Sequence, residues 1–151
     1  MYVYNDESQV LLQLRHPDRP WGANKWDFSG GGHISADETP AGGAVREASE
    51  EIGLGLSIDD LTLVGVTRAV STRPATERKH MVHEWNFIIK KDVEPSALRL
   101  QDSETVEAKW FSIDEIESDL DDKDKVDKYA PRSKDLYLLF TGSIRSRLNN
   151  D

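Results

Sequence analysis

Three carboxylates, Glu47, Glu50 and Glu51, close the stretch GHISADETPAGGAVREASEEIGL that runs from Gly32 to Leu54. On a helix their spacing is i, i+3 and i+4, which puts them on one face with neighbouring Cβ atoms about 5 to 6 Å apart. They also crowd the helix end where the macrodipole is already negative, so each is unfavourable before mutual repulsion is counted. Two readings account for this. One is a solvated acidic face offset by Arg46 and by lysines elsewhere. The other is a hard-cation site, because oxygen-only donors suit Mg²⁺ or Mn²⁺, and magnesium is held by a few carboxylates together with substrate phosphates.

Other constellations carry less. Cysteine is absent, which excludes disulfides, thiolate zinc sites and cysteine nucleophiles. His80 and His83 are three apart on a strand and so fall on opposite faces, which argues against zinc. The run Gly30–Gly32 lacks the Gly-Lys-Ser/Thr ending of a phosphate-binding P-loop and reads as a tight turn exposing carbonyls and amides. Arg15, Arg19, Lys25, Arg68, Arg73, Arg78 and Lys79 lie in segments flanking this region, as surface charge or as phosphate contacts. Trp21, Trp26, Trp85 and Trp110 are core, rim or a stacking surface.

The elements that must position the carboxylates follow from local signals. The apolar runs MYVY and VLLQL flank the turn-forming NDES, which predicts an opening β-hairpin. A loop rich in Gly and Pro surrounds a short strand near Trp26 to Ser29. Thr39 caps a helix with Pro40 at its first position, and Gly53 ends it. LTLVGVTRAV and HMVHEWNFIIKK are strands, and the second alternates, with Met81, His83, Trp85, Phe87 and Ile89 on one face, which puts Trp85 inside, and Glu84 on the other. TVEAKWFS is a further strand. Ser112 and Glu115 form a capping box for a helix burying Ile113, Ile116 and Leu120. DDKDKVDKYAPRSK reads as a solvated loop, and a last helix aligns Leu136, Phe140, Ile144 and Leu148. The pattern predicts an α+β fold, a mixed β-sheet sandwiched between α-helices.

The chain has 151 residues, enough for a single domain over 1–151. Its 28 acidic against 19 basic residues leave a net charge of −9, which disfavours nucleic acid and anionic membranes as partners while still allowing a small phosphorylated substrate beside a bound cation. Neither a signal peptide nor a membrane-length apolar run is evident, so the expected location is cytoplasmic.

Spacing then separates the two readings of the acidic helix. Gly32 is followed after five residues by Glu38 and after seven more by REASEEIGL, which resembles the Nudix box of the MutT-like Nudix hydrolase superfamily. All seven fixed positions match, which chance produces roughly once in a million at average residue usage. Ala48 stands where a larger aliphatic residue is usual, and Gly42 and Gly43 each cost about 1 kcal/mol in a helix. The resemblance implies the Nudix fold and hydrolysis, dependent on Mg²⁺ or Mn²⁺, of a diphosphate bond in a nucleoside diphosphate linked to some group X. It implies metal ligands at the Gly32 carbonyl and at Glu47, Glu50 and Glu51, with Arg46 as a partner that organises the carboxylates, Glu38 included. The resemblance offers Glu47 in the box as one candidate general base and Glu84, on the downstream strand, as another. Upstream, WDFSGGGH, VLLQLRHP and KWFSIDEI resemble isopentenyl-diphosphate isomerase and its hydrolase-like relatives through Trp26, Gly32 and His33. The isomerase's cysteine position is Gly31 here, which excludes isomerisation by that mechanism. The alternative from another class is a Nudix-fold sensor that binds a nucleotide or sugar phosphate without cleaving it. Domains of this family often pair, so a homodimer is allowed for. VSTRPATERKH after Ala69 is the expected substrate-selecting loop, although no pattern in it assigns a substrate.

Overall fold

The computed structural model describes residues 1–73 and 78–150, and the side chains of 71–80 lie outside that description. Strands β1 (Tyr2–Tyr4) and β2 (Gln9–Arg15) form the expected antiparallel hairpin. Its turn closes because the Asn5 side-chain oxygen accepts the amides of Glu7 and Gln9 at 3.1 and 3.0 Å. Strand β3 is shorter than expected, Trp26–Asp27, although Phe28 and Ser29 after it are buried. Strands β4 (Thr62–Arg73) and β5 (Arg78–Lys90) make a long hairpin that runs into the expected substrate-selecting loop from both sides. The centre of that loop, residues 74–77, lies outside the described residues. Strand β6 (Thr105–Ser112) pairs antiparallel with β2 over most of its length.

β2 is the hub of the sheet. β1 pairs with Val10 and Leu11, and β3 with Gln13 and Leu14. The parallel pairing of β1 with β5 makes the sheet mixed, in the order β3-β2-β1-β5-β4 with β6 also on β2. Side-chain alternation sorts two cores. Val3, Leu11, Phe87 and Ile89 meet Ala48 and Ile52 of α1 (Pro40–Ile52). Tyr2, Tyr4, Val10, Leu12 and Ile88 meet α2 (Ile113–Leu120) and α3 (Lys134–Leu148) on the other face. The sheet is therefore sandwiched between helices, as the patterning predicts.

Three expectations are corrected. Ser112 is the N-cap of α2, but its side chain makes no capping hydrogen bond, and Glu115 pairs with Lys128 rather than closing the box. Residues 121–134 are not wholly solvated: Tyr129 and Ala130 are buried, and the Tyr129 hydroxyl donates to buried Asp119 at 3.0 Å. Trp85 is not inside, being 39% exposed. It shares a face with buried Phe87 as alternation requires, but β1 pairs β5 only at Ile88–Lys90, so cover ends before residue 85 is reached. Among the described residues no helix is long and apolar enough to cross a membrane.

Candidate active site

Helix α1 starts and stops as its sequence dictates. The Thr39 hydroxyl accepts the Gly42 amide at 3.1 Å, Pro40 occupies the first turn, and Gly53, at φ +66°, ends the helix in the left-handed region. Its last turns lie against Gly30–Gly32, and at Gly30 and Gly32 glycine is needed for room rather than for backbone conformation. A Cβ at Gly32 would sit 2.2 Å from Glu47 Oε1, and one at Gly30 would sit 3.2 Å from Glu51 Oε2. The two glycines inside α1 have a similar reason: a Cβ at Gly43 would come within 3.1 Å of Glu38 Oε2, which crosses the helix start to reach Arg46.

Arg46 organises the acidic face. Its guanidinium donates to Glu38 from Nε and Nη2 at 3.0 and 3.1 Å, and to Glu47 and Glu50 from Nη1 at 2.8 and 2.9 Å. Nη2 also donates to the carbonyl oxygen of His33 at 3.0 Å. Hydrogen bonds from Arg46 and from the Ser35 amide hold the Glu38 carboxyl below its usual range, and those to Glu38 and Glu47 raise the Arg46 guanidinium.

Glu51 differs from its neighbours on the helix. Only 5% exposed, it accepts neutral donors alone, Gln13 Nε2 at 2.9 Å and the Gly31 amide at 3.0 Å, and Gln13 is in turn fixed by the Thr105 hydroxyl. Burial pushes its carboxyl up to about 7, and the two hydrogen bonds offset that only in part. Glu47 and Glu50 stay on Arg46, so among the described residues no three acidic or histidine side chains converge closely enough to enclose an ion as they stand.

A cleft of about 550 Å³ opens beside this helix, lined by Gly30–Gly32, His33, Gly43 and Glu47 on one side and by residues 82–87 of β5 on the other. Glu84 and exposed Trp85 both line it. Glu84 stands apart from the α1 carboxylates, 3.9 Å from Arg132 Nη1 and accepting from the Thr67 hydroxyl at 3.3 Å.

Arg132 is the cleft residue that sequence reasoning missed. It precedes Ser133, the N-cap of α3, inside a charged stretch with no periodicity to mark it. Its Nε and Nη2 donate to buried Asp27 at 2.7 and 3.0 Å, and Asp27 also pairs with Arg15 at 3.2 Å. The guanidinium stands 3.8 Å from the Phe28 ring centroid and 5.0 Å from that of Trp21, with Arg15 5.2 Å from the same Trp21 ring. Burial works against the Arg132 charge, but Asp27 more than compensates and holds its pKa above the ordinary value. The X-Pro-Arg-Ser sequence before a helix was the signal available, a residue placed at the helix entry by a rigid turn.

Residues 1–134 match the NUDIX domain family. An uncharacterised Nudix hydrolase of Listeria monocytogenes is 30% identical over 116 residues, which covers 77% of this chain and 63% of that protein. The chain thus spans less than two thirds of the length of the curated relatives first matched. Among solved structures, a MutT protein from Methanosarcina mazei superposes with a TM-score of 0.62 at 21% identity, covering 99% of this chain and 91% of that one. The NUDIX domain of Shewanella oneidensis NrtR, solved with ADP ribose, gives 0.64 at 16% identity over 97% of this chain and 84% of that one. Matched along most of its length and sharing the mixed sheet between helices, the chain belongs to the Nudix domain family and adopts its fold.

Proposed function

We propose that this protein is a hydrolase that uses Mg²⁺ or Mn²⁺ to cleave the diphosphate bond of a nucleoside diphosphate linked to another group, or of a related small phosphorylated metabolite. The observation that carries the reading is Glu51, a carboxylate buried beside a glycine loop with no cationic partner in contact among the described residues. A buried charge left in that state is costly unless something neutralises it.

The residues fit a hard divalent cation. The donor set is the Gly32 carbonyl with Glu47, Glu50 and Glu51, all oxygen, and the missing Cβ of Gly32 leaves Glu47 the space it occupies. When bound, the cation supplies charge neutralisation at the phosphate oxygens and a more acidic water. Arg46 keeps Glu47 and Glu50 oriented from below, and its hold on Glu38 and the His33 carbonyl ties the glycine loop to the helix. Glu47 and Glu84 both line the cleft, so both can accept a proton from the attacking water. We assign that role to Glu47, which shares α1 with the other carboxylates, whereas Glu84 stands with Arg132 and Thr67.

The test is product release from a panel of nucleoside triphosphates, ADP-ribose, nucleotide sugars, dinucleotides and prenyl diphosphates, with and without Mg²⁺. Metal-dependent cleavage of one class is the expected outcome. A compound that raises the melting temperature but is not cleaved would favour a sensor instead.

A further inference from the structure

We propose that Arg132 is an anion-binding residue of the cleft, taking the phosphoryl group of the substrate that lies away from helix α1. The inference deepens the diphosphatase reading by assigning the second end of the diphosphate. A guanidinium carries five N–H groups in a planar fork. Asp27 takes those of Nε and one of Nη2, and Nη1 makes no hydrogen bond among the described residues. The carboxylate nearest to Nη1, that of Glu84, is 3.9 Å away, beyond hydrogen-bond reach.

Asp27 already has Arg15 at 3.2 Å, so two guanidiniums face one buried carboxylate. Glu84, 3.9 Å from Arg132, is the second carboxylate of this group, so the charges balance, and Arg132 lines the cleft with Nη1 still without a hydrogen bond among the described residues. Arg19 lines the same cleft; Glu104 takes its Nη1 at 2.9 Å, and its buried Nε has no partner among the described residues. The cleft therefore receives Glu47 from α1, Arg132 from the segment before α3 and Arg19 from the loop after β2. Phosphate oxygens match the planar fork of arginine, and the Asp27 pair with the Phe28 contact holds Arg132 in place before any ligand arrives.

The experiment is calorimetric titration of inorganic pyrophosphate into the full chain in EDTA, where the acidic helix offers no attraction. Wild type should bind, Arg132→Gln should bind at least tenfold more weakly, and Arg132→Lys should fall between them. Arg147→Gln, outside the cleft, should match wild type. If Arg132→Gln melts early, the pair Asp27→Asn with Arg132→Gln removes both charges and is titrated instead. Wild-type-like binding by either variant overturns the proposal, as does absence of binding by wild type. The titration needs no turnover, so a protein that binds pyrophosphate through Arg132 and cleaves nothing would overturn the hydrolase reading alone. Where turnover is found, Arg132→Gln should raise KM about tenfold with kcat within threefold.

Discussion

Gly32→Ala separates the site's geometry from the stability of the fold. The new Cβ would stand 2.2 Å from Glu47 Oε1 and 2.3 Å from its Cδ, where ordinary contact begins at 3.4 Å. The carboxylate must therefore move by roughly 1 Å, and a misplacement of that size at a reacting centre costs on the order of 10²-fold in rate. The fold should tolerate the change, because Gly32 is exposed, its φ lies outside the left-handed region, and the atoms in the way end a flexible side chain. The assay pairs kcat with Mg²⁺ on whichever substrate the panel identifies with a thermal melt in EDTA. A fall of about 100-fold with the melting temperature within about 2 °C is expected. Full activity in Gly32→Ala would refute the placement of Glu47 at the reacting centre. A collapse of the melt would show that the glycine serves folding instead.

Other outcomes follow from the same geometry. Glu51 titrates near 7 when folded, above the ordinary carboxylate value of 4.5, so the metal-free protein should lose stability as pH rises between those values and no more above them. Glu51→Gln should accordingly be more stable than wild type to denaturant in EDTA at pH 8, by up to roughly 3 kcal/mol, and match it near pH 4.5; equal stability at pH 8 would contradict the buried charge. With Mg²⁺ the same variant, and Glu50→Gln, should each lose orders of magnitude in turnover, and near-normal activity in either would remove it from the ligand set. Arg46→Lys keeps the charge but not the fork that reaches Glu38, Glu47, Glu50 and His33 at once, so turnover should drop about 10- to 100-fold; the steady-state rate decides this. Tyr129→Phe removes one buried hydrogen bond to Asp119 and should cost about 1 kcal/mol, read as a melt lowered by about 2 to 4 °C with activity unchanged.

What the chain declares locally and what it does not divide along physical lines. Helix α1 was legible because Thr39, Pro40 and Gly53 act within a few residues of themselves, and the spacing of Glu47, Glu50 and Glu51 is a property of the helix alone. Alternation along β5 correctly sorted Glu84 from Trp85, but it cannot say how far neighbouring strands and helices extend, and that extent left Trp85 on the surface. Ser112 and Glu115 had the spacing of a capping box, yet Lys128 from a later segment claimed the glutamate. Arg132 was hidden for the same reason, since its partner Asp27 is remote in sequence and the charges around it read as solvated. The three glycines at 30–32 looked like a turn; the need for space at Gly32 became visible only with α1 packed against it.

The two sides of the cleft are also built from chain contacts of very different reach. Arg46 meets Glu38 across 8 residues, and Glu51 meets the Gly31 amide across 20 and Gln13 across 38, so the acidic half can assemble once the segment from β2 to α1 has folded together. The Asp27–Arg132 bonds span 105 residues. Closing that loop rather than a 20-residue one costs roughly 1.5 kcal/mol more in chain entropy, and it requires the segment before α3 to have returned to the sheet. The acidic half should mature early in folding and the cationic half last. A nascent or partly unfolded chain would then carry an assembled acidic helix while lacking the grip that completes the cleft, which ties the site's competence to the docking of the C-terminal helix.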